Sequence, residues 1–258
     1  GDLWQRRVVV PSHAASRSPN SSITDRRVFP LPPGKYKARI VVRDMNAAWA
    51  HLRRYHVRQI SPRPQTIPIS NPAAAGIQAI KFRDPDGHNL ELLWFPGGKG
   101  NPVWQKPTND LFLGIDHTAM TVRSTENSIT FYRDRLGMTV AGGTLNMGVE
   151  QEHLDSLPGA RARVTGMKPV RGTLGVEFLE YDSPMTGRPM PGDSHPTDLW
   201  HWQTTVVVPD VEAVAGALRP TTKFVSPRVV TLHEKLLGFA KGVLVRDPDG
   251  HAILLVSP

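Results

Sequence analysis

Side chains suited to metal binding or acid–base chemistry interrupt several apolar stretches of this 258-residue sequence. His117 lies in the run Asp116–Val122, Glu177 lies in Gly175–Tyr181, and Glu91 stands between two leucines. Imidazole and carboxylate groups are suitable ligands for Zn²⁺, Ni²⁺, Mn²⁺ or Fe²⁺. A carboxylate in an apolar strand must be paired, exposed or metal-bound, because burying it alone is unfavourable. These positions are the first candidates for chemistry.

Cysteine is absent from the sequence. This excludes a disulfide framework, a thiol nucleophile, cysteine-ligated zinc and iron–sulfur clusters, so any metal must use His, Gln, Asp or Glu. The composition, with 39% hydrophobic and 21% charged residues, is typical of a globular protein. No apolar run approaches the roughly 18 residues that a membrane-spanning helix needs.

One six-residue motif occurs twice. Residues 83–88 and 246–251 both read Arg-Asp-Pro-Asp-Gly-His, and each copy has a strand-like apolar run on either side. Asp-Pro-Asp-Gly favours a tight turn, because proline presets φ and glycine accepts positive φ. Both copies are therefore predicted β-hairpins, with His88 and His251 as exposed loop residues.

A strand and a helix precede each hairpin. Ala38–Val42 leads into apolar residues at helical spacing after Asp44, and Thr204–Val208 does the same after Asp210. A further copy begins at Asp116 and continues through a predicted helix to a closing strand. The chain thus contains three repeats, each predicting one strand, one helix and about three more strands.

These repeats resemble the vicinal oxygen chelate superfamily, which includes glyoxalases, extradiol dioxygenases, and fosfomycin- and bleomycin-resistance proteins. The resemblance is carried by Gly114–Val122, Phe131–Met138 and the twice-used Asp-Pro-Asp-Gly-His turn. It implies an α+β fold of βαβββ modules, in which two modules pair to form one cup. It also implies that the cup binds a divalent metal through the first and last strands of each module.

We expect the modules to be arranged as one complete and one incomplete domain. The expected segments are an irregular basic tail (1–34), a single N-terminal module (35–96), a linker (97–111) and a C-terminal two-module barrel in 112–258, built from 112–182 and 198–258. The single module should pair with the same module of a second chain or pack on the C-terminal barrel.

The resemblance implies which residues hold the metal. His117 and Gln203 occupy equivalent first-strand positions, and Glu177 and Glu91 occupy equivalent last-strand positions. The expected ligands are therefore His117, Glu177 and Gln203, with Glu91 as an additional candidate. Glu177 is also the candidate catalytic carboxylate.

Two positions depart from the pattern. Lys37 stands where a first-strand ligand is expected, and Leu254 stands where a last-strand carboxylate is expected. An ion pair between Lys37 and Glu91 that fills an inactive site is an alternative to a metal ligand at Glu91.

Four further residues are candidates for substrate binding. Asn146 and His153 fall between predicted strands of the middle repeat, where superfamily members often place loops over the substrate. His201 and Trp202 lie beside Gln203, and His201 is an alternative to Gln203 as the working group at the cup mouth.

The resemblance implies a metal-dependent enzyme that acts on a small molecule with vicinal oxygens, by isomerase, lyase or extradiol dioxygenase chemistry. Its cofactor would be Fe, Mn, Ni or Zn. The alternatives are a non-catalytic ligand-binding protein of the bleomycin-resistance type, or a degenerate structural paralogue. Lys37 and Leu254 favour these alternatives.

The charge distribution limits the choice of partners. The net charge is +8, and residues 1–110 carry 17 Lys/Arg against 7 Asp/Glu. A basic segment can attract phosphates, but no nucleic-acid-binding motif accompanies it. We expect a small-molecule substrate, a homodimer and a cytoplasmic location, without membrane or nucleic-acid binding.

Overall fold

The computed structural model describes residues 37–172, 174–232 and 238–258. The predicted tail, residues 1–34, lies outside the described residues. The fold is α+β, as predicted, and its strands lie in two sheets. The described residues divide into a larger unit, 37–201 with 247–251, and a smaller unit, 202–246 with 252–258. Within the described ranges, no helix is long and apolar enough to cross a membrane.

The first module follows the predicted order of strand, helix and further strands. Its elements are β1 (Lys37–Val42), α1 (Met45–Arg54), β2 (Arg58–Gln59), β3 (Gln65–Thr66), β4 (Gln78–Arg83) and β5 (Asn89–Trp94). The side chain of Asp44 caps α1 by accepting a hydrogen bond from the Ala47 amide. Met45, Ala48 and Leu52 then pack against β1, β4 and β5.

The middle module contains one helix more than predicted. Its elements are β6 (Phe112–Thr121), α2 (Thr125–Ile129), a π-helical segment (Thr130–Arg135), β7 (Thr139–Met147), α3 (Val149–Asp155), β8 (Arg161–Lys168) and β9 (Gly175–Ser183). A short 3₁₀ helix, Pro102–Gln105, lies in the predicted linker. The end of β7 and helix α3 replace the predicted loop around residues 146–153.

The smaller unit contains the third module. Its elements are β10 (Gln203–Val207), α4 (Val211–Leu218), β11 (Val230–Thr231), β12 (Lys241–Arg246) and β13 (Ala252–Ser257). The strands lie in the order β10-β13-β12-β11. Both predicted hairpins are confirmed, since β4 pairs antiparallel with β5 and β12 pairs antiparallel with β13.

The histidines of the two turns are held by neighbouring acceptors rather than free in solvent. His88 Nδ1 lies 2.5 Å from Asp84 Oδ2, and its Nε2 lies 2.7 Å from the Leu199 carbonyl oxygen. His251 is buried, and its Nδ1 lies 2.9 Å from Asp247 Oδ2. The prediction that His251 is exposed was wrong, because the Asp247–His251 turn packs into the larger unit, where Tyr132 Oη donates to Asp247 Oδ2 over 3.1 Å.

The sheet of the larger unit pairs the first module with the middle module. Its strands follow the order β2-β4-β5-β1-β6-β9-β8-β7, with β3 beside β4. At the centre, β1 runs antiparallel to β6, and Arg39 lies opposite His117. The first module therefore does not stay single, whereas the expected pairing of residues 112–182 with 198–258 stays a prediction. Each repeat carries a similar first strand, so sequence similarity does not specify which two first strands meet.

Helix α3 packs on the opposite face of this sheet from α1. It contacts β3 and β4 at one end of the sheet and β7 and β8 at the other. Strands from both ends reach one short helix, so the sheet curves around it. Leu154 of α3 is buried with Ala79 and Leu93. We call this concave, α3-covered face the cup.

Candidate active site

His117 and Glu177 lie together in the cup on neighbouring strands. In the parallel pairing of β6 with β9, His117 is opposite Gly175 and Ala119 is opposite Glu177. His117 Nε2 lies 3.4 Å from Glu177 Oε2, and His117 Nδ1 lies 2.7 Å from Asp116 Oδ2. The structure thus brings together two of the predicted site residues.

Arg39 lies between two carboxylates of the cup. Its Nη1 donates a 2.8 Å hydrogen bond to Glu91 Oε1, and its Nη2 forms an ion pair with Glu177 Oε1. All three side chains are largely buried, with 11% exposure for Arg39, 5% for Glu91 and 16% for Glu177. One guanidinium therefore joins the last strands of both modules.

A second cation extends this arrangement towards α3. Lys81 Nζ lies 3.9 Å from Glu91 Oε2 and pairs with Asp155 Oδ1. Asp155 also accepts hydrogen bonds from Tyr181 Oη at 2.9 Å and Gln151 Nε2 at 2.5 Å. We refer to Arg39, Lys81, Glu91, His117, Asp155 and Glu177 as the charged network.

The charged network changes the proton affinity of its members. Burial alone would raise the pKa of Glu177, but the positive charge of Arg39, followed by His117, lowers this pKa to about 2. Burial would lower the pKa of His117, but Glu177 and the hydrogen bond to Asp116 raise it. Burial, reinforced by Asp155, raises the pKa of Tyr181 to about 12 although Lys81 opposes it. The network therefore lowers the pKa values of Asp155 and Glu177, which favours their ionised forms, and it leaves Tyr181 un-ionised.

The middle and third modules match a known protein family. The sequence profile of the Glyoxalase/Bleomycin resistance protein/Dioxygenase superfamily matches residues 114–255, which is more than half of the 258-residue chain. The chain belongs to this superfamily. No curated protein matches the sequence significantly.

Solved structures of the superfamily share the fold. A glyoxalase family protein from Bacillus cereus is 18% identical, with a TM-score of 0.50; the match covers 59% of this chain and 98% of that protein. Glyoxalase I from Zea mays is 16% identical, with a TM-score of 0.52, and the match covers 86% of this chain and 67% of that enzyme. At these identities the likeness concerns the fold alone.

The cup differs from the divalent metal site that the superfamily resemblance implies. One observation favours a metal: His117 Nε2 is buried without a hydrogen-bond partner among the described residues, and it faces Glu177. However, the described residues contain no group of three His, Asp or Glu side chains that could hold a metal ion. Arg39 already pairs with Glu177, and its positive charge opposes a divalent cation there. These residues do not fit a divalent metal.

The remaining predicted ligands are Glu91 and Gln203. Glu91 is buried, and its carboxylate pairs with Arg39 and Lys81. The side chain of Lys37 lies outside the described part of the structure. Gln203 begins β10 of the smaller unit, where Thr205 pairs with Leu254.

The two predicted residues next to Gln203 fall in different units. His201 is buried at the end of the larger unit, whereas Trp202 is half-buried in the smaller unit. Their predicted roles in substrate binding stay predictions.

Arg39 and Lys81 were missed as site residues. Each is a lone cation inside an otherwise apolar strand, in Ala-Arg-Ile-Val-Val and Ala-Ile-Lys-Phe. Strand alternation places them on the face opposite Ile40 and Ile80, which pack with α1. The signal was available, because a lone charge on an inward face requires a partner of opposite charge.

A cavity of about 90 Å³ lies beside α3 in the larger unit. Its walls combine amide and hydroxyl groups with aliphatic side chains; the main polar members are Gln65, Ser70, Asn71, Asn146, Glu150 and Gln151. Asn71 Nδ2 donates a 2.7 Å hydrogen bond to Asn146 Oδ1, which joins the two sides of the cavity. Predicted residue Asn146 lies here, whereas His153 is on the exposed side of α3.

Replacing Ser61 with alanine is expected to loosen α3. Ser61 is fully buried; its Oγ donates to the Leu154 carbonyl over 2.6 Å and accepts from the Lys81 amide over 2.8 Å. Removing it leaves both backbone groups unpaired, so the free energy of unfolding should fall by about 1–3 kcal/mol in urea denaturation. Thr139→Val removes an exposed hydroxyl and should change it by less than about 0.5 kcal/mol. Equal effects of the two substitutions would contradict this anchoring role.

Proposed function

We propose that this protein binds a small organic molecule in the cavity beside α3, as a ligand-binding member of its superfamily rather than a metal-dependent enzyme. The observation that carries the proposal is the amide-lined cavity next to a cup whose carboxylates are already neutralised by Arg39 and Lys81. The cavity offers specific polar contacts, whereas the charged network leaves Glu177 engaged with Arg39.

The cavity lining favours a particular ligand chemistry. Carboxamides such as Asn71, Asn146 and Gln151 can both donate and accept hydrogen bonds. Among the described lining residues, Glu150 is the single charged side chain and no Lys or Arg contributes. The aliphatic part of the wall, which includes Ile67 and Met147, suits an apolar group. The expected ligand is a neutral or cationic molecule with a flat polar head and an apolar body.

The volume of the cavity limits how much of that ligand is enclosed. A cavity needs roughly 10–15 Å³ to hold one water molecule, so a cavity of about 90 Å³ encloses only a small polar head group. Met147 is 53% exposed and belongs to the lining, so the cavity lies at the protein surface. The remainder of a larger ligand would therefore extend over exposed side chains.

Benzamide, benzamidine and benzoate test the proposal, because they share one ring and differ in the charge of the head group. We expect ligand-observed NMR to detect benzamide and benzamidine but not benzoate. Asn146→Ala should weaken benzamide binding about tenfold, the effect of losing roughly 1.4 kcal/mol of polar contact. Asn127 is exposed outside the cavity, so Asn127→Ala is the matched control.

Two results would overturn the proposal. One is that wild type and Asn146→Ala both bind all three compounds equally well, or that neither protein binds any of them. The other is stoichiometric Fe, Mn, Ni or Zn in purified wild type that disappears in His117→Ala, which would instead favour the metal-dependent enzyme.

A further inference from the structure

We infer that Arg39 is the resident cation of the cup, a covalently attached replacement for a divalent ion between the carboxylates of the two modules. This inference concerns the charged network and is independent of which molecule the cavity binds.

The strand pairing places different residues opposite the buried glutamates of the two modules. In the first module, Arg39 lies opposite Glu91 in a parallel pair; in the middle module, Ala119 lies opposite Glu177 in the same kind of pair. Arg39 therefore occupies the position that Ala119 occupies in the other half. The methyl group of Ala119 leaves space in the middle module, and the guanidinium reaches across to Glu177.

The second cation follows the same rule. Lys81 lies opposite Glu91 in the antiparallel pair of β4 with β5, and Gly166 lies opposite Glu177 in the pair of β8 with β9. Both cations thus come from the first module, and small residues stand at the equivalent positions of the middle module. The first module therefore supplies the positive charges that neutralise both Glu91 and Glu177.

The guanidinium neutralises two carboxylates at once, as a divalent metal ion would. It contacts an oxygen of Glu91 with one nitrogen and an oxygen of Glu177 with another, so each buried carboxylate has a cation. Two buried carboxylates held at one guanidinium would repel each other without the cation between them. A divalent ion at Glu177 would have to displace Arg39 or share the carboxylate with it.

Removing the arginine side chain should turn the cup into a metal site. Arg39→Ala removes the cation from between Glu91 and Glu177, next to His117 Nε2, so these three side chains can move together around Mn²⁺ or Zn²⁺, for which their groups are suitable ligands. We expect MnCl₂ to raise the melting temperature of Arg39→Ala by about 5 °C or more, and that of wild type by less than about 1 °C. Isothermal titration should detect one Mn²⁺ per chain in the variant.

Matched variants separate this effect from nonspecific stabilisation. Arg39→Ala combined with Glu177→Gln should lose the MnCl₂ response, because one ligand is gone. Arg133→Ala, which removes an exposed arginine paired with Asp134, should behave like wild type. Arg39→Lys retains a cation and should also gain no metal binding.

The possible outcomes decide the inference. One Mn²⁺ or Zn²⁺ bound to wild type and lost in His117→Ala would overturn it, as would a folded Arg39→Ala that gains no metal. If Arg39→Ala folds only when MnCl₂ is present, the inference is supported. If it does not fold under either condition, wild type and Arg39→Lys decide, since metal binding by either one would overturn the inference.

Discussion

Replacing Arg39 with methionine is expected to lower the free energy of unfolding by about 3–5 kcal/mol at pH 7. Methionine fills much of the same volume but leaves Glu91 without its 2.8 Å partner and Glu177 without its guanidinium. The cost comes from two buried carboxylates that lose their neutralising charge rather than from lost packing. Urea denaturation followed by circular dichroism measures this difference.

Two comparisons isolate the buried charges as the cause. Arg133→Met breaks an ion pair whose side chains are 52% and 46% exposed, and it should leave the free energy of unfolding nearly unchanged. The triple variant Arg39→Met, Glu91→Leu and Glu177→Leu removes the carboxylates as well and should recover much of the lost stability. If the triple variant is less stable than Arg39→Met alone, the predicted cause is incorrect.

Acidification below pH 4.5 should remove the stability that ionised Glu177 provides. Its pKa falls from 4.5 to about 2 on folding, which corresponds to about 3 kcal/mol of stability. Because the folded pKa is the lower one, this contribution is fully present above the unfolded pKa and is lost as pH falls towards the folded pKa. About 2 kcal/mol should be gone by pH 3.

The variant Glu177→Gln isolates this contribution from those of the other acids. Asp116 and Asp155 also have lowered pKa values in the folded protein, so they add acid sensitivity of the same sign. The stability difference between wild type and Glu177→Gln should therefore shrink between pH 6 and pH 3 in urea titrations. A difference that stays constant over this interval would mean that Glu177 is not held ionised by the network.

The hairpin turns and the helix starts could be predicted from the sequence because they depend on local signals. Asp-Pro-Asp-Gly specifies a turn through its own backbone preferences, and Asp44 and Asp210 cap the helices that follow them. Such signals act within a few residues, so they are legible in one sequence. Helix α3 carried a weaker signal of the same kind, because Glu150 and Glu152 lie in its first turn.

The pairing of modules depends on contacts that are distant in sequence. Nothing near β1 distinguishes β6 from another first strand as its neighbour, and sheet register is decided by how whole faces pack. The charged network could not be predicted for the same reason, because its members are also distant in sequence. His117 and Glu177 could be placed by family resemblance. Arg39 belongs to the site because it contacts Glu91 and Glu177, which lie 52 and 138 positions further along the chain.

The unequal distribution of charge between the two modules also favours pairing of the first module with the middle module over pairing of two like modules. The first module supplies Arg39, Lys81 and Glu91, whereas the middle module supplies His117, Asp155 and Glu177. Two copies of the first module would bring an excess of buried cations together, and two copies of the middle module would bring four of these carboxylates together. Both homotypic assemblies are therefore penalised, and the mixed assembly neutralises most of its buried charge. Duplicated halves with similar folds can in this way recognise the correct half during folding.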